Sequence, residues 1–263
     1  MKAVAVTIAG LEDITRMELS EIIGADSEVA LPSRVLFSVE DENDLAEFVY
    51  RARSIIKSYL LVAKFKFVDR NDVVEKISNI KISYLKDSFV VRCERVGLHD
   101  FNSLEVEKAI GELIKRDYKI RADLDNPKTI VFIDIIDNDC FVGIDFSGIR
   151  ISRRYYRIKL LSSSINPVVA YSMLRYSGIN ENDFILDVFC RSGEIPIEAA
   201  LFLNNIPNCY YVKDKLQFTK FIDIKFDDNI ENKKLNIVSM DCSQNSVRAS
   251  EINAKIAFVN KFI

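Results

Sequence analysis

Two acidic residues follow short apolar runs in the last third of the sequence, and a tight turn follows the first of them. Asp187 ends the run "FILD", Asp241 follows "LNIVSM", and Gly193 lies just beyond Asp187. Short apolar runs of this kind are typical of parallel strands, whose carboxyl ends meet at the sheet edge where α/β proteins bind ligands. A carboxylate there can accept both hydroxyls of a ribose, and glycine lets the backbone approach closely. These residues therefore predict a nucleoside site.

The loop after Asp187, "VFCRSGE", discriminates between nucleoside ligands. It has one glycine where a pyrophosphate cradle uses two or three, and Glu194 places negative charge in the first turn of the next helix. A phosphate site needs several glycines and a helix N-terminus without negative side chains, because such a terminus attracts anions through its free N–H groups. S-adenosylmethionine carries no phosphate and suits the loop better than NAD or ATP. Taken singly, such an acid or glycine is more often only a cap or a turn, so the prediction rests on their combination.

The elements that must position these residues fall into three units. Residues 1–68 alternate in the order βαββαβ, which predicts a ferredoxin-like domain. Residues 69–149 form a second α/β unit, with a hairpin predicted around Asn138-Asp139. A basic linker, 150–166, leads to Pro167, where a helix can begin. Residues 167–263 then read strand, helix, strand, helix, which predicts part of a Rossmann-like sheet. The expected class is α/β.

Composition excludes several classes of protein. The chain has 263 residues, of which 49% are apolar and 29% charged, as in an ordinary globular protein. Its five cysteines form no C-x-x-C pair, so we expect reduced thiols, no zinc or other metal, and a cytoplasmic location. The first residues, "MKAVAVTIAGLED", lack the apolar segment and cleavage site of a signal peptide, and no apolar run approaches the roughly 20 residues that a bilayer requires, so we expect neither export nor a membrane span.

One basic cluster stands out against the net charge of -3. The segment "RISRRYYRIK" interleaves cations with Tyr155 and Tyr156, as a groove that follows a nucleic-acid backbone requires, because cations meet phosphates and rings stack on bases. The alternative is a solvated linker with both tyrosines packed inward. Composition favours neither.

The order of these pieces resembles the THUMP-domain RNA methyltransferases, which methylate N2 of guanosine in transfer RNA. "VRCERVGLHDFNSLEVEKAIGELI" resembles their THUMP unit, and "LDVFCRSGEIPIEAAL" is similar to their D-P-x-C-G-S-G-T-x-x-I-E-A-A loop. "IVSMDCSQNSVRASEINAKIAFVNKFI" resembles the strand and helix that follow. The resemblance covers essentially the whole chain.

The resemblance implies S-adenosylmethionine as cofactor and tRNA or another structured RNA as partner. Asp241 matches the acid that binds the ribose, and four residues match the loop around the methionine part of the cofactor: Asp187, Cys190, Ser192 and Gly193. The THUMP unit of such proteins grips the acceptor end of transfer RNA. The implied RNA-facing residues are Arg92, Arg95, Arg116, Arg121, Arg150, Arg153, Arg154, Arg157 and Lys159.

The sequence departs from the family at two places. Val188, Arg191 and Glu194 replace the proline, first glycine and threonine of the loop, and we expect Arg191 and Glu194 to hinder the cofactor. The N-P-P-Y-like tetrapeptide that holds the guanine amine is absent from this sequence. Two hypotheses remain: a piece of a longer methyltransferase, or a non-catalytic THUMP RNA-binding protein with a degenerate methyltransferase half. A partial sheet also predicts a protein partner at its open edge.

Overall fold

A computed structural model describes residues 1–263. The strands, in chain order, are β1 (Lys2–Val6), β2 (Ser27–Leu31), β3 (Arg34–Ser38), β4 (Lys57–Lys66), β5 (Ser88–Val96), β6 (Arg121–Ala122), β7 (Thr129–Ile136), β8 (Asp139–Asp145), β9 (Phe184–Asp187) and β10 (Asn236–Ser239). The helices are α1 (Glu12–Ile23), α2 (Glu42–Arg51), α3 (Arg70–Ser78), α4 (Ser103–Tyr118), α5 (Pro167–Ser177), α6 (Glu194–Leu203) and α7 (Gln244–Ile256). The predicted α/β class is confirmed.

The first eight strands form one continuous sheet in the order β2-β3-β1-β4-β8-β7-β5-β6. Residues 1–68 have the expected βαββαβ order, and the second α/β unit follows them. The two units share the sheet because β4 pairs antiparallel with β8, from Tyr59 opposite Asp145 to Lys66 opposite Asp139. We call residues 1–149 the arm.

Helices cover one face of this sheet. Alternate strand residues point toward α1–α4 and form the main core, which includes Phe37, Leu60, Val91 and Ile133. This alternation is the period of two that a β-strand imposes on its side chains. Helix α4 is held at its start by a capping box, in which Asn102 and Glu105 each bond the other's backbone N–H.

The opposite face of the sheet curls around a small second core. Arg34 on β3 reaches Asp134 on β7, with 2.5 Å between Nε and Oδ2, although three strands separate β3 from β7. The hydroxyl of Tyr59 donates to the same carboxylate at 3.0 Å. Gly143 makes room for this tyrosine, because a Cβ there would lie 2.3 Å from the ring. A buried ion pair therefore closes the concave side of the arm.

The hairpin between β7 and β8 turns one residue earlier than expected. Ile136 pairs with Asp139, so Asp137 and Asn138 form the turn rather than Asn138 and Asp139. Asp137 has a φ of +48°, a left-handed conformation that Asp tolerates better than most residues. The predicted start of α5 is confirmed: Pro167 is its first residue, and Gly178 ends it in the left-handed conformation.

The second sheet contains only the parallel strands β9 and β10. One face packs Ile185 and Ile237 against the core shared with α6 and α7. Large apolar side chains on and just after these two strands are exposed: Phe184, Leu186, Val188, Phe189, Val238 and Met240. The protein partner predicted for this open sheet stays a prediction. No helix in the chain combines the length and apolar character that a bilayer crossing requires.

A long connection, residues 207–234, returns from α6 to the arm before β10 begins. Its backbone bonds the arm directly: the N–H of Cys209 donates to the carbonyl of Tyr50 at 3.0 Å, and that of Phe218 donates to the carbonyl of Phe146 at 3.1 Å. Cys209, Leu216 and Phe218 are buried in the arm's main core. The connection therefore joins the two sheets, although its sequence shows little regular pattern.

Replacing Asp134 by alanine should lower the free energy of unfolding by about 3–5 kcal/mol, because Arg34 would remain buried without a partner. Urea denaturation at pH 7 measures this loss. The double variant R34M/D134L replaces both charges with apolar groups of similar volume and should lose much less. Equal losses in both variants would contradict this account of the ion pair.

Candidate functional site

The loop after β9, residues 188–193, is held against the end of β10. The N–H of Met240 donates to the carbonyl of Asp187 at 2.8 Å, and the N–H of Cys190 donates to the carbonyl of Met240 at 3.0 Å. Because β9 and β10 are parallel, with Asp187 opposite Ser239, both acids emerge at one sheet edge. The structure thus brings Asp187 and Asp241 together, as the spacing predicted.

The surroundings of Asp241 favour its ionised form. Its Oδ1 accepts the N–H of Ser243 at 2.9 Å, and its Oδ2 accepts the N–H of Arg191 at 3.2 Å. The bond from Ser243 lowers the pKa of Asp241, burial raises it, and the bond and the charge of Arg191 lower it again, so that the net pKa is lowered. A carboxylate that accepts backbone N–H groups on one side keeps lone pairs for hydroxyl donors on the other.

Asp187 is in the opposite electrostatic situation. Partial burial raises its pKa, the N–H of Phe189 lowers it through a 3.1 Å bond, and the negative charge of Asp241 raises it again. The net pKa of Asp187 is raised, and the contribution from Asp241 means that the two carboxylates feel each other's charge.

Two residues of the loop have left-handed backbone. Gly193 has a φ of +85°, and a Cβ at this position would lie 2.4 Å from Oγ of Ser250 on α7. Arg191 has a φ of +50° and occupies the position where the family has glycine. This loop shape suits glycine at both positions. The expectation that the Arg191 side chain hinders the cofactor stays a prediction.

Glu194 turns into the protein instead of toward the loop surface. Its carboxylate is buried, pairs with Nε of Arg157 at 3.1 Å and accepts the Ser192 hydroxyl at 2.9 Å. A neighbouring arginine pairs with the charge of Glu194, and burial removes that charge from the loop surface. The expectation that Glu194 hinders a cofactor stays a prediction.

Cys190 and Ser192 are also buried, and burial raises the pKa of the Cys190 thiol. Ser192 bonds the hydroxyl of Ser164 as well as Glu194. These two side chains are occupied inside the protein, so any contact that they make with a cofactor at the loop surface involves the backbone. Of the five predicted cofactor residues, the side chains of Asp187 and Asp241 are the ones that are partly exposed.

Asn253 on α7 is a site residue that sequence reasoning missed. Its amide donates to the carbonyls of Ser192 and Lys159 at 2.9 and 2.8 Å, and its Oδ1 accepts the N–H groups of Lys159 and Ile158. It therefore ties the linker to the loop. A polar residue beside alanines on the buried face of α7 was the available signal.

The basic cluster divides between surface and interior. Arg150, Arg153 and Lys159 are exposed, whereas the side chain of Arg154 is completely buried in an ion pair with Glu198. The prediction that Arg154 faces RNA is wrong, because a linker without regular periodicity does not indicate which side chains point inward. Arg157 is largely occupied by Glu194.

The tyrosines of the cluster do not form an open stacking surface. Tyr156 is fully buried and donates to Glu198 at 2.8 Å, and Tyr155 packs against Tyr156 and Tyr211. The alternative of tyrosines packed inward is thus correct for this segment.

The four arginines predicted for the THUMP unit do not form one surface. Arg92 lies on the face of β5 opposite the helices, whereas Arg95, three residues later, is on the helical side and contacts His99 at 2.8 Å. An odd spacing along a strand places side chains on opposite faces. Arg116 pairs with Asp117 at 2.6 Å, and Arg121 lies near Asp123 at 3.7 Å.

Two adjoining clefts run from the arm's sheet to the linker. The first, about 500 Å³, is lined by Arg92 and, from the connection, by Lys215 and Lys220. The second, about 420 Å³, is lined by Arg150, Arg153 and again Lys215. We call this pair of clefts the basic groove. The first cleft is also lined by Lys57 and by four acids, and Arg92 lies 3.8 Å from one of them, Glu107. Lys215 and Lys220 were not predicted, because only the fold places the connection here.

Two family comparisons match the two halves of this arrangement. Residues 69–145 match the THUMP domain, and residues 154–263 match the RMKL-like methyltransferase domain. No group of three or more His, Cys, Asp or Glu side chains is arranged to hold a metal ion.

A curated relative extends the match over nearly the whole chain. The tRNA (guanine(6)-N2)-methyltransferase of Methanocaldococcus jannaschii is 30% identical over 271 residues, covering 95% of this chain and 71% of that protein. The chain belongs to the THUMP-domain RNA methyltransferase family. A relative of the same name from Archaeoglobus fulgidus is 26% identical, covering 76% of this chain and 53% of that protein. The chain thus spans between about half and 71% of these relatives' lengths.

Solved structures agree with this fold. TrmN from Thermus thermophilus matches 100% of this chain and 71% of its own at a TM-score of 0.68 and 25% identity. A putative methyltransferase complexed with SAH matches 99% of this chain and 73% of its own at a TM-score of 0.82 and 21% identity. The predicted family and fold class are confirmed, and none of these comparisons favours the non-catalytic alternative.

Alanine at position 193 should both destabilise the protein and disturb the loop, because it adds a clash with Ser250 to the strain of a left-handed residue. Gly178 is the matched control: its φ is +68°, and a Cβ at this position would have no atom within 4 Å. We expect G178A to cost about 1 kcal/mol and G193A clearly more, measured by urea denaturation. S250A should recover part of the G193A loss. Equal losses for the two glycines would contradict the close approach.

Proposed function

We propose that this chain supplies the RNA-binding arm and the cofactor loop of an S-adenosylmethionine-dependent methyltransferase that acts on guanosine N2 in transfer RNA. The observation that carries the proposal is the meeting of Asp187 and Asp241 beside the left-handed loop at Gly193. The chain is also similar over 95% of its length to a protein named tRNA (guanine(6)-N2)-methyltransferase.

In this proposal Asp241 accepts the ribose hydroxyls of the cofactor, because it is ionised and its backbone bonds orient it. The loop backbone from Cys190 to Gly193 lies along the methionine part. Asp187, with its raised pKa, contributes a polar contact at the same edge. No phosphate is involved, which agrees with a single glycine in the loop.

The bound cofactor supplies an electrophilic methyl group on its sulfonium. Transfer to the amine forms an N–C bond and breaks the S–C bond, and the amine then loses a proton. Such a reaction depends mainly on positioning and the placement of charge, so this chain's contribution is to hold the donor and the RNA in a fixed relation. We assign no residue of this chain to the guanine amine.

The basic groove is the proposed RNA surface. Arg92, Lys215, Arg150 and Arg153 line clefts that lead from the arm's sheet to the linker beside the cofactor loop. Cations arranged along one path can follow a phosphate backbone, and such contacts make binding strongly dependent on salt.

Replacing Asp241 should weaken binding of SAH, the product form of the cofactor. A hydrogen bond to a charged group contributes about 1.5–3 kcal/mol, so we expect D241N to lower the affinity by about 10–100-fold in a calorimetric titration. D241A should lower the affinity for SAH further, because the N–H groups of Arg191 and Ser243 lose their acceptor. The control is D183N at the other end of β9, which should bind as the wild type does. Unchanged binding by D241A would refute the ribose role.

Replacing cations in the basic groove should weaken transfer-RNA binding. We expect R92A, R153A and K215A each to reduce the log–log salt slope by about 1, measured by fluorescence anisotropy over a potassium chloride series. R116A is the control, since Arg116 is exposed but lies on α4, outside the groove. A larger loss for R116A than for the groove variants would place the RNA elsewhere on the arm.

A further inference from the structure

A buried charge network joins the arm, the linker and α6. Glu198 of α6 is fully buried and receives three side chains: Arg53 from the arm, with Nη1 at 3.2 Å, and Arg154 and Tyr156 from the linker, each at 2.8 Å. Three separate segments of the chain therefore meet at one carboxylate.

The two arginines of this network are themselves fixed. Arg154 also donates to the carbonyl of Arg53 at 2.7 Å and to that of Ile151 at 3.1 Å. Arg53 donates through its guanidinium to the carbonyl of Ile206, and its backbone N–H donates to Glu18 at 2.9 Å. Both guanidinium groups pair with Glu198, whereas Glu18 accepts the backbone N–H groups of Arg53 and Ser54, so Glu198 cannot rotate away without leaving two buried arginines unpaired.

The network lies close to the cofactor loop. Glu198 is four residues after Glu194, so both carboxylates lie on the same side of α6, and Arg157 of the linker pairs with Glu194 at 3.1 Å. Gly193 immediately precedes the helix. Because a helix rises 1.5 Å per residue and is stiff over this distance, the position of Glu198 sets the position of the loop to within a few ångströms.

Stability alone is a poor explanation for these buried charges. Apolar groups of similar volume often stabilise a protein as well as a buried ion pair does, whereas a charge network permits one arrangement of its partners. We propose that Glu198 is a positioning residue, which acts through Arg53 and Arg154 to hold the cofactor loop in a fixed orientation relative to the RNA-binding arm. The inference rests on the function proposed above.

The test compares E198Q with E21Q. Glu21 also joins the arm to residues 167–263, which we call the second domain, through Arg175 at 2.5 Å. Its side chain is 52% exposed, so its loss should change little. Spin labels are attached to cysteines introduced by Lys115→Cys on α4 and Arg248→Cys on α7, after the exposed native cysteine is removed by Cys242→Ser. Pulsed electron paramagnetic resonance then reports the distance between arm and second domain in the full chain.

We expect a single narrow distance distribution in the wild type and in E21Q, and a broad one in E198Q. Affinity for SAH should fall about tenfold in E198Q, a typical coupling between sites. A purely structural role would lower the melting temperature and leave the distance distribution narrow. That result overturns the proposal.

A milder variant, Y156F, tests the proposal if E198Q does not fold. Y156F removes one hydrogen bond to Glu198 and keeps the ring, so it should broaden the distribution partially. If E198Q does not fold and Y156F keeps the wild-type distribution, the proposal is wrong. Failure of the wild type to bind SAH would refute the proposed function, whereas the distance measurements would still decide the positioning role.

Discussion

Buried carboxylates at the junction of three segments are the constraint on which this molecule depends. Glu18, Glu194 and Glu198 are each almost fully buried, and each is satisfied by donors from another part of the chain. A charge removed from water must be paired and hydrogen-bonded, so these acids dictate where the linker can run. The basic linker therefore makes buried contacts inside the protein as well as presenting charges at the surface.

The same constraint decides which cations of the linker remain exposed. Arg154 and Arg157 neutralise Glu198 and Glu194, while Arg150 and Arg153 stay exposed between them and the arm. Neighbouring residues of one basic run thus have opposite roles. The exposed positive charge of the linker is what remains after the buried acids are neutralised.

The arm and the second domain are joined at more than one place. The linker carries the charge network, and the connection 207–234 returns to pack Leu216 and Phe218 into the arm's core. That return also brings Lys215 and Lys220 beside Arg92. The loop after β9 and the basic groove are consequently parts of one packed body, as the proposed methyl transfer would require.

The sequence by itself determined the α/β class, the elements of the arm, and the meeting of Asp187 and Asp241 at one sheet edge. These features follow from local periodicity and from the rule that parallel strands end together. The need for Gly193 was also visible, although not the closeness of Ser250 that explains it.

Only the tertiary structure decided that Arg154 is buried, that Glu194 turns inward, and that one sheet joins both halves of the arm. Each of these depends on contacts between residues far apart in the chain: Arg154 meets Arg53 and Glu198, and β4 meets β8. Periodicity tells which face of an element is apolar but not which distant partner covers it, and a linker without periodicity gives no orientation at all.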